Sequence, residues 1–261
     1  MWLYFLIGGV IVLAAVVTAL LIAFVDNKTI EYEAFGVREG TRGIKIAHLS
    51  DLHFPRQAVD TEALISALER EQPDLVALTG DLVVRHSDAQ KGGGYAFMQA
   101  LSSRFPVYFV QGNHDFDNAR ANEILEKLRA AGVHVLDNRA EIFEKDGRKV
   151  QLAGVSEQAE LPAMQGGVYT VLLDHRPERA VRFVKKGACA PDLILCGHAH
   201  GGQFRAFGRG LFAPGQGFFP KYTSGEYRLS GKTRMIVSRG VGKSEFPFRF
   251  NDPPHVPIIT I

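Results

Sequence analysis

Cysteine is nearly missing from this chain. Cys189 and Cys196 are the two among 261 residues, too few for a disulfide framework. Cys196 ends an apolar run beside Gly197, the setting of a buried thiol rather than of a nucleophile or ligand. An excess of charge is missing too: 30 Lys and Arg stand against 28 Asp and Glu, a net charge of +2 at pH 7. No basic stripe of the kind that binds nucleic acid is present, and no nucleic-acid partner is indicated. Internal repeats and long low-complexity stretches are also lacking, which excludes repeat architectures.

From Met1 to Val25 there is no charged side chain at all. A helix of that length reaches roughly 37 Å, enough to span a bilayer core of about 30 Å. No basic residue precedes the run, and Ala23-Phe24-Val25-Asp26 is not a small-residue cleavage site. The segment therefore reads as a retained single-pass anchor rather than a signal peptide. It is apolar on every face, unlike a helix half-buried in a globular core. Lys28, Arg38, Arg42 and Lys45 follow it, so the positive-inside tendency favours the cytoplasmic side for the rest of the chain. The expected organisation is an anchor at 1–25, a tether at 26–43 with one strand in 29–35, and a globular domain at 44–261.

What is present beyond residue 44 is an alternation of short apolar runs and amphipathic segments. With 46% apolar residues the chain can build a substantial core. Strands are expected at 44–49, 75–79, 107–110 and 133–136, with helices at 61–71, 95–103 and 119–131 between them. That βαβα order argues an α/β fold with a largely parallel sheet. The second half is richer in strands. Asp146-Gly147 marks a hairpin between 140–144 and 149–154, and Ser230-Gly231-Lys232 marks another between 226–229 and 233–237. Further strands are expected at 168–173, 193–195 and 256–261, with a helix at 177–186. The stretch 201–225 reads as an irregular loop.

Five of these apolar runs end in metal-binding residue types. Asp51 and His53 follow the first, Gly80-Asp81 the second and Gly112-Asn113-His114-Asp115 the third. His175 and Gly197-His198-Ala199-His200 follow two of the later ones. Parallel strands bring their C-terminal ends to one edge, where such residues converge. Carboxylate, imidazole and one amide, with no thiolate, are the ligands of a two-metal hydrolytic centre rather than a structural zinc site. Period-2 geometry would aim Asp51 with His53, and His198 with His200. Asp81 can bridge two ions, Asn113 offers a neutral oxygen, and Gly112 lets the backbone approach. Singly, an Asp after a strand is usually a cap and a His usually structural; five strand ends together are not explained that way. Asp115 orients His114 or caps the next turn. His48, His86, His134 and His255 fit no ligand pattern and read as structural.

Asp51-X-His53, Gly80-Asp81, Gly112-Asn113-His114-Asp115, His175 and Gly197-His198-X-His200, in that order, resemble the motif set of the calcineurin-like metallophosphoesterases. Gly201-Gly202-Gln203, Phe212-Ala213-Pro214 and Ser238-Arg239-Gly240-Val241-Gly242 resemble a bacterial branch of membrane-anchored or exported phosphodiesterases. The resemblance implies a four-layer double β-sandwich flanked by helices. It implies that Asp51, His53, Asp81 and His200 hold one divalent ion, and Asp81, Asn113, His175 and His198 a second. Asp174 departs from the Ser or Ala usual before the isolated histidine, which bears on the hydrogen bonding behind it. Gly112, Asp115 and Gln203 are candidates for positions behind the ligands or on substrate.

The chemistry expected of such a centre is phosphoester hydrolysis by a hydroxide bridging two divalent ions, Mn, Fe or Zn. His114 is the candidate acid for the leaving alkoxide, or a support for Asn113. The leading expectation is a membrane-anchored phosphodiesterase or pyrophosphatase with a lipid-linked substrate. Phe204, Phe207, Phe212, Phe218 and Phe219 read equally as ordinary loop packing or as a surface turned to a bilayer or to acyl chains. The alternatives are a UDP-2,3-diacylglucosamine pyrophosphatase and a non-catalytic, metal-stabilised scaffold.

Overall fold

Apolar runs too short to make helices become the buried strands of two stacked six-stranded sheets. A computed structural model describes residues 2–25, 29–36, 43–88, 91–158, 160–188, 190–231, 233–243 and 249–261. Cys189 and, within the expected tether, residues 26–28 and 37–42 lie outside them, among these Lys28, Arg38 and Arg42.

The first sheet holds β1 (Glu31–Gly36), β2 (Lys45–Leu49), β3 (Leu75–Thr79), β4 (Val107–Val110), β5 (His134–Val135) and β16 (His255–Thr260), in the order β1-β16-β2-β3-β4-β5. From β2 to β5 every pairing is parallel, because helices α2 (Thr61–Glu71), α3 (Gly94–Ser102) and α5 (Ala121–Ala130) make the crossovers. The second sheet holds β6 (Ala140–Lys145), β7 (Arg148–Val155), β8 (Tyr169–Asp174), β9 (Leu193–Cys196), β14 (Gly225–Arg228) and β15 (Arg234–Val237), in the order β14-β15-β9-β8-β7-β6. Its outer pairs are antiparallel hairpins. The β6–β7 turn puts Asp146 and Gly147 at φ 51° and 73°, as a two-residue hairpin demands.

Strand alternation sorts the core into three layers. Ala47, Leu49, Val76 and Leu78 face α2, α3 and α5. Their neighbours Ile46, Leu75 and Ala77 face Leu152, Val171, Leu193 and Ile236 of the second sheet. Leu172, Ile194 and Met235 pack on Ala180, Val181 and Val184 of α6 (Pro177–Lys185). The result is helix, sheet, sheet, helix, the expected four-layer α/β sandwich. Cys196 is a buried free thiol whose ionisation burial suppresses.

The strand anticipated inside the tether forms as β1 and pairs in parallel with β16. Glu31 bonds Arg239 at 2.6 Å and Glu33 bonds His255 at 3.0 Å, so part of 26–43 is an edge strand of the globular domain. The first helix, α1, runs Trp2–Val25, with side chains described no further than Leu20. Among the described residues no helix is long and apolar enough to cross a membrane. The stretch expected to be an irregular loop contains a 3-10 turn (His200–Gly202) and two small hairpins. These are β10 (Arg205–Ala206) with β11 (Arg209–Gly210), and β12 (Phe212–Ala213) with β13 (Gly217–Phe218).

Candidate metal centre

The C-terminal ends of β2, β3, β4, β8 and β9 meet where the two sheets abut. There the chain turns sharply rather than running on extended. Asp51, His53, Asp81, His198 and His200 all have positive φ, at 53°, 51°, 53°, 68° and 45°. The expected period-2 alternation therefore does not aim these side chains; β2 ends at Leu49 and β9 at Cys196, before the ligand pairs begin. Left-handed backbone at a residue with a Cβ costs on the order of 1–3 kcal/mol. Main-chain bonds between loops hold it: Asp51 N donates to Gly80 O at 3.0 Å, and His53 N to Asp81 O at 2.9 Å.

Two glycines permit the close approach. A Cβ on Gly112 would lie 2.2 Å from Asp81 Oδ1, and one on Gly197 would lie 1.8 Å from Ser50 Oγ. Any side chain at either place would force the loops apart.

Ligand atoms of Asp51, His53, Asp81 and His200 lie within 4.8 Å of one another, and so do those of Asp81, His175 and His198. Asp81 belongs to both groups, its Oδ2 being 3.5 Å from His53 Nε2 and 3.4 Å from His175 Nε2. His53 and His200 face each other Nε2 to Nε2 at 3.0 Å, and His198 Nδ1 faces His175 Nε2 at 3.1 Å. Asn113 opens α4 (Asn113–Phe116) directly behind Gly112, and its Oδ1 is buried with no hydrogen-bond partner. Facing ring nitrogens around one shared carboxylate, with an orphaned carbonyl oxygen on the adjoining loop, form a donor set that fits divalent cations.

The electrostatics divide the four histidines. Burial pulls His53 down to about 4 and lowers His198 and His200 as well, which disfavours their charged form. Desolvation acts on His175 in the same direction, but the Asp81 carboxylate outweighs it and holds that ring up at about 10. Asp81 is held well below the carboxylate range, the His175 contact overcoming burial. Asp51, buried beside Asp81, is pushed up to about 6 by desolvation. His175 Nδ1 donates to Thr79 O at 2.7 Å, which turns Nε2 inward.

His114 stands at the rim, half-buried, its ring edge-on to His53 with centroids 4.7 Å apart. Its N donates to Asp81 Oδ1 at 2.9 Å. Its Nδ1 accepts the Arg85 N–H at 3.2 Å, so Nε2 carries the proton. Asp115 is buried and accepts from Gly112 N, Leu82 N and Val83 N, clamping the third ligand loop to the second. Burial pushes its carboxyl up to about 7. Gln203 closes the turn after His200, its N donating to His200 O at 2.8 Å. Asp174 is engaged with Arg179 Nε at 2.9 Å and with Arg176 N at 3.0 Å.

Two supporting arginines escaped the reading of the sequence. Arg249 Nη1 donates to Gly242 O at 2.7 Å, and its Nη2 to Arg239 O at 2.6 Å; this fixes the 239–242 loop, whose Gly240 packs on Asp51. Arg176 reaches His198 Nε2 at 3.1 Å while paired with Glu157 at 2.9 Å. His48 bonds Thr79 Oγ1 at 2.8 Å and His134 pairs with Glu141 at 2.7 Å, away from the ligand cluster.

Comparison with known proteins agrees with this geometry. The family profile described as Calcineurin-like phosphoesterase matches residues 44–202. An uncharacterized metallophosphoesterase of Aquifex aeolicus (strain VF5) is 30% identical over 259 residues, 91% of this chain and 91% of that protein. Phosphodiesterase YaeI of Escherichia coli (strain K12) is 28% identical, over 86% of this chain and 84% of that one. Among solved structures, TT1561 of Thermus thermophilus shares the fold at a TM-score of 0.50 and 16% identity, covering 77% of this chain and 91% of that chain.

Proposed function

Because the chain belongs to the calcineurin-like phosphoesterase family, and is a metal-dependent phosphoester hydrolase, we propose that it cleaves a phosphodiester or pyrophosphate bond at the Asp81 centre. The observation that carries this reading is the pair of ligand groups sharing one carboxylate, with His114 at their edge. Asp51, His53, Asp81 and His200 would hold one divalent cation; Asp81, Asn113, His175 and His198 would hold the other. When bound, such a pair supplies Lewis-acid polarisation of the phosphoryl group and activates water near neutral pH. Nitrogen and oxygen donors suit Mn, Fe or Zn.

The remaining steps belong to the chain. His114 presents the Nε2 proton to the leaving alkoxide, because Nδ1 is occupied by Arg85 N–H. Asp115 keeps His114 and Asn113 in register with Asp81 through its three backbone bonds. The phosphodiesterase named among the relatives supports a diester over a monoester.

A lipid-linked substrate and a single-pass anchor belong to the same proposal. The uncharged run from Met1 to Val25 supports the anchor. The cations at 28, 38, 42 and 45 support the cytoplasmic side for the catalytic domain. Anchoring raises the effective concentration of a membrane-bound substrate without any new contact. The test is a full-length chain stripped by chelator, reloaded with Mn²⁺, Fe²⁺ or Zn²⁺, and assayed on aryl phosphodiesters, aryl monoesters and a nucleotide-linked diacyl lipid in vesicles. Metal-restored hydrolysis of the diester or the lipid is expected. Hydrolysis of monoesters alone would remove the diester reading.

A further inference from the structure

The residues from Gly201 to Gly225 include Arg205, Arg209 and Lys221 and no carboxylate. They also include five phenylalanines, and the fold turns three of these fully outward. Phe207 is 103% exposed, Phe218 78% and Phe219 81%. Apolar side chains scattered singly on a surface need no explanation, but a contiguous patch does.

These rings stand on two hairpins that main-chain bonds join. The β10–β11 hairpin turns at Phe207-Gly208, both with positive φ, which sets Phe207 at its tip. In the next hairpin Phe212 lies opposite Phe218, with ring centroids 5.4 Å apart. Phe219 N donates to Leu211 O and Leu211 N to Phe204 O, each at 2.9 Å, so the two hairpins are tied side by side. Arg205 is turned inward, to Gly201 O and Gly208 O, and braces the first hairpin. Arg209 and Lys221 are exposed, each two residues along the chain from an outward ring (Phe207 and Phe219), and Lys221 Nζ lies 5.3 Å over the Tyr222 ring. The base of this structure is the metal centre: the loop begins at His200, and a Cβ on Gly215 would lie 3.7 Å from His198 Nε2.

Aromatic residues on projecting hairpin tips, flanked along the chain by two exposed cations, fit the boundary layer of a membrane. Rings occupy the zone between headgroups and acyl chains, and cations meet anionic headgroups. The same chain exposes a second apolar surface, the described side chains of α1. We propose that the paired hairpins of residues 203–221 dock on an anionic lipid bilayer. Phe207, Phe218 and Phe219 enter the interface, and Arg209 and Lys221 contact the headgroups. Docking in this way turns the rim of the metal centre toward the lipid surface. The proposal concerns binding alone and is read without any assay of hydrolysis.

The chain has one tryptophan, Trp2, which makes a direct test possible. In the full-length chain carrying Trp2→Phe, single reporters are placed by Phe207→Trp, by Phe219→Trp and, on the edge strand β6 as a control, by Ile142→Trp. Each is mixed with vesicles of phosphatidylcholine and phosphatidylglycerol whose acyl chains are brominated. The loop reporters are expected to shift to the blue and lose fluorescence, and the control to do neither. Arg209→Glu with Lys221→Glu should abolish the loss. Loop reporters that keep water-exposed emission on vesicles that have bound the chain would overturn the proposal. So would equal quenching by pure phosphatidylcholine, or a concentration-dependent blue shift without vesicles, which would mean that a second copy covers the patch.

Discussion

Strands β8 and β9 have two very different ends. At their start lies a cavity of about 440 Å³, lined by Met164–Thr170 and Ala190–Asp192. At their finish lie His175 and His198. The roomy end has its polar groups engaged with neighbouring chain: Asp192 accepts from Thr170 N at 2.9 Å, and Gln151 Oε1 accepts from Gln165 N at 3.1 Å and from Thr170 Oγ1 at 3.3 Å. The tight end packs ring nitrogens against one another at 3.0–3.1 Å and leaves Asn113 Oδ1 buried without a partner. A large cavity is the usual first guess for a site. The candidate metal centre lies instead where buried donor atoms converge.

That contrast is broken most severely at Asp81, which both ligand groups share. Asp81→Asn should lose metal and lower kcat by more than the about 10–100-fold typical of a residue behind a ligand. Full metal content with normal turnover, measured by elemental analysis and assay, would leave the tight end no different from the roomy one. Next comes His114→Ala, which should keep both metals yet lower kcat by about 10²-fold or more on alkyl diesters. The loss should shrink on nitrophenyl diesters, whose leaving group needs little protonation. An equal loss on both would make His114 a support for Asn113 instead.

A third effect separates the polar burial of the tight end from metal binding. His48, on β2 and bonded to Thr79 of β3, is fully buried, and burial holds its ring down at about 3. Between about pH 6.5 and about 3 the unfolded chain binds a proton there that the folded chain does not, so stability falls as pH falls through that window. At pH 5 the loss is about 2 kcal/mol. Urea unfolding at pH 7 and pH 5 should show a smaller loss in His48→Gln. An unchanged slope would mean that other buried rings account for the acid sensitivity. The smallest effect belongs to the roomy end, where Gln165→Ala should leave kcat and metal content unaltered. A large loss of activity there would reverse the contrast.

Much of this architecture was legible in the sequence alone. The strands at 75–79 and 107–110 and the helix at 61–71 lie where apolar periodicity puts them, because buried parallel strands are little else than apolar runs. The metal-type residues were legible because they close those runs. Their aim was not. Positive φ at Asp51, His53, Asp81, His198 and His200 is imposed by bonds between loops far apart in sequence, and Asp and His do not advertise it. The nearest signal was glycine, at 80, 112, 197 and 240, where loops touch. β1 was blurred because its polar Glu31 and Glu33 face Arg239 and His255, so little apolar pattern remained. Arg249 was invisible because it binds main-chain carbonyls, which leave no trace in side-chain spacing.

The most direct measurement is an anomalous-scattering map from crystals of the protein soaked in Mn²⁺. Two peaks should flank Asp81, one against Asp51, His53 and His200, the other against Asn113, His175 and His198. A single peak, or none within reach of Asp81, would contradict the account.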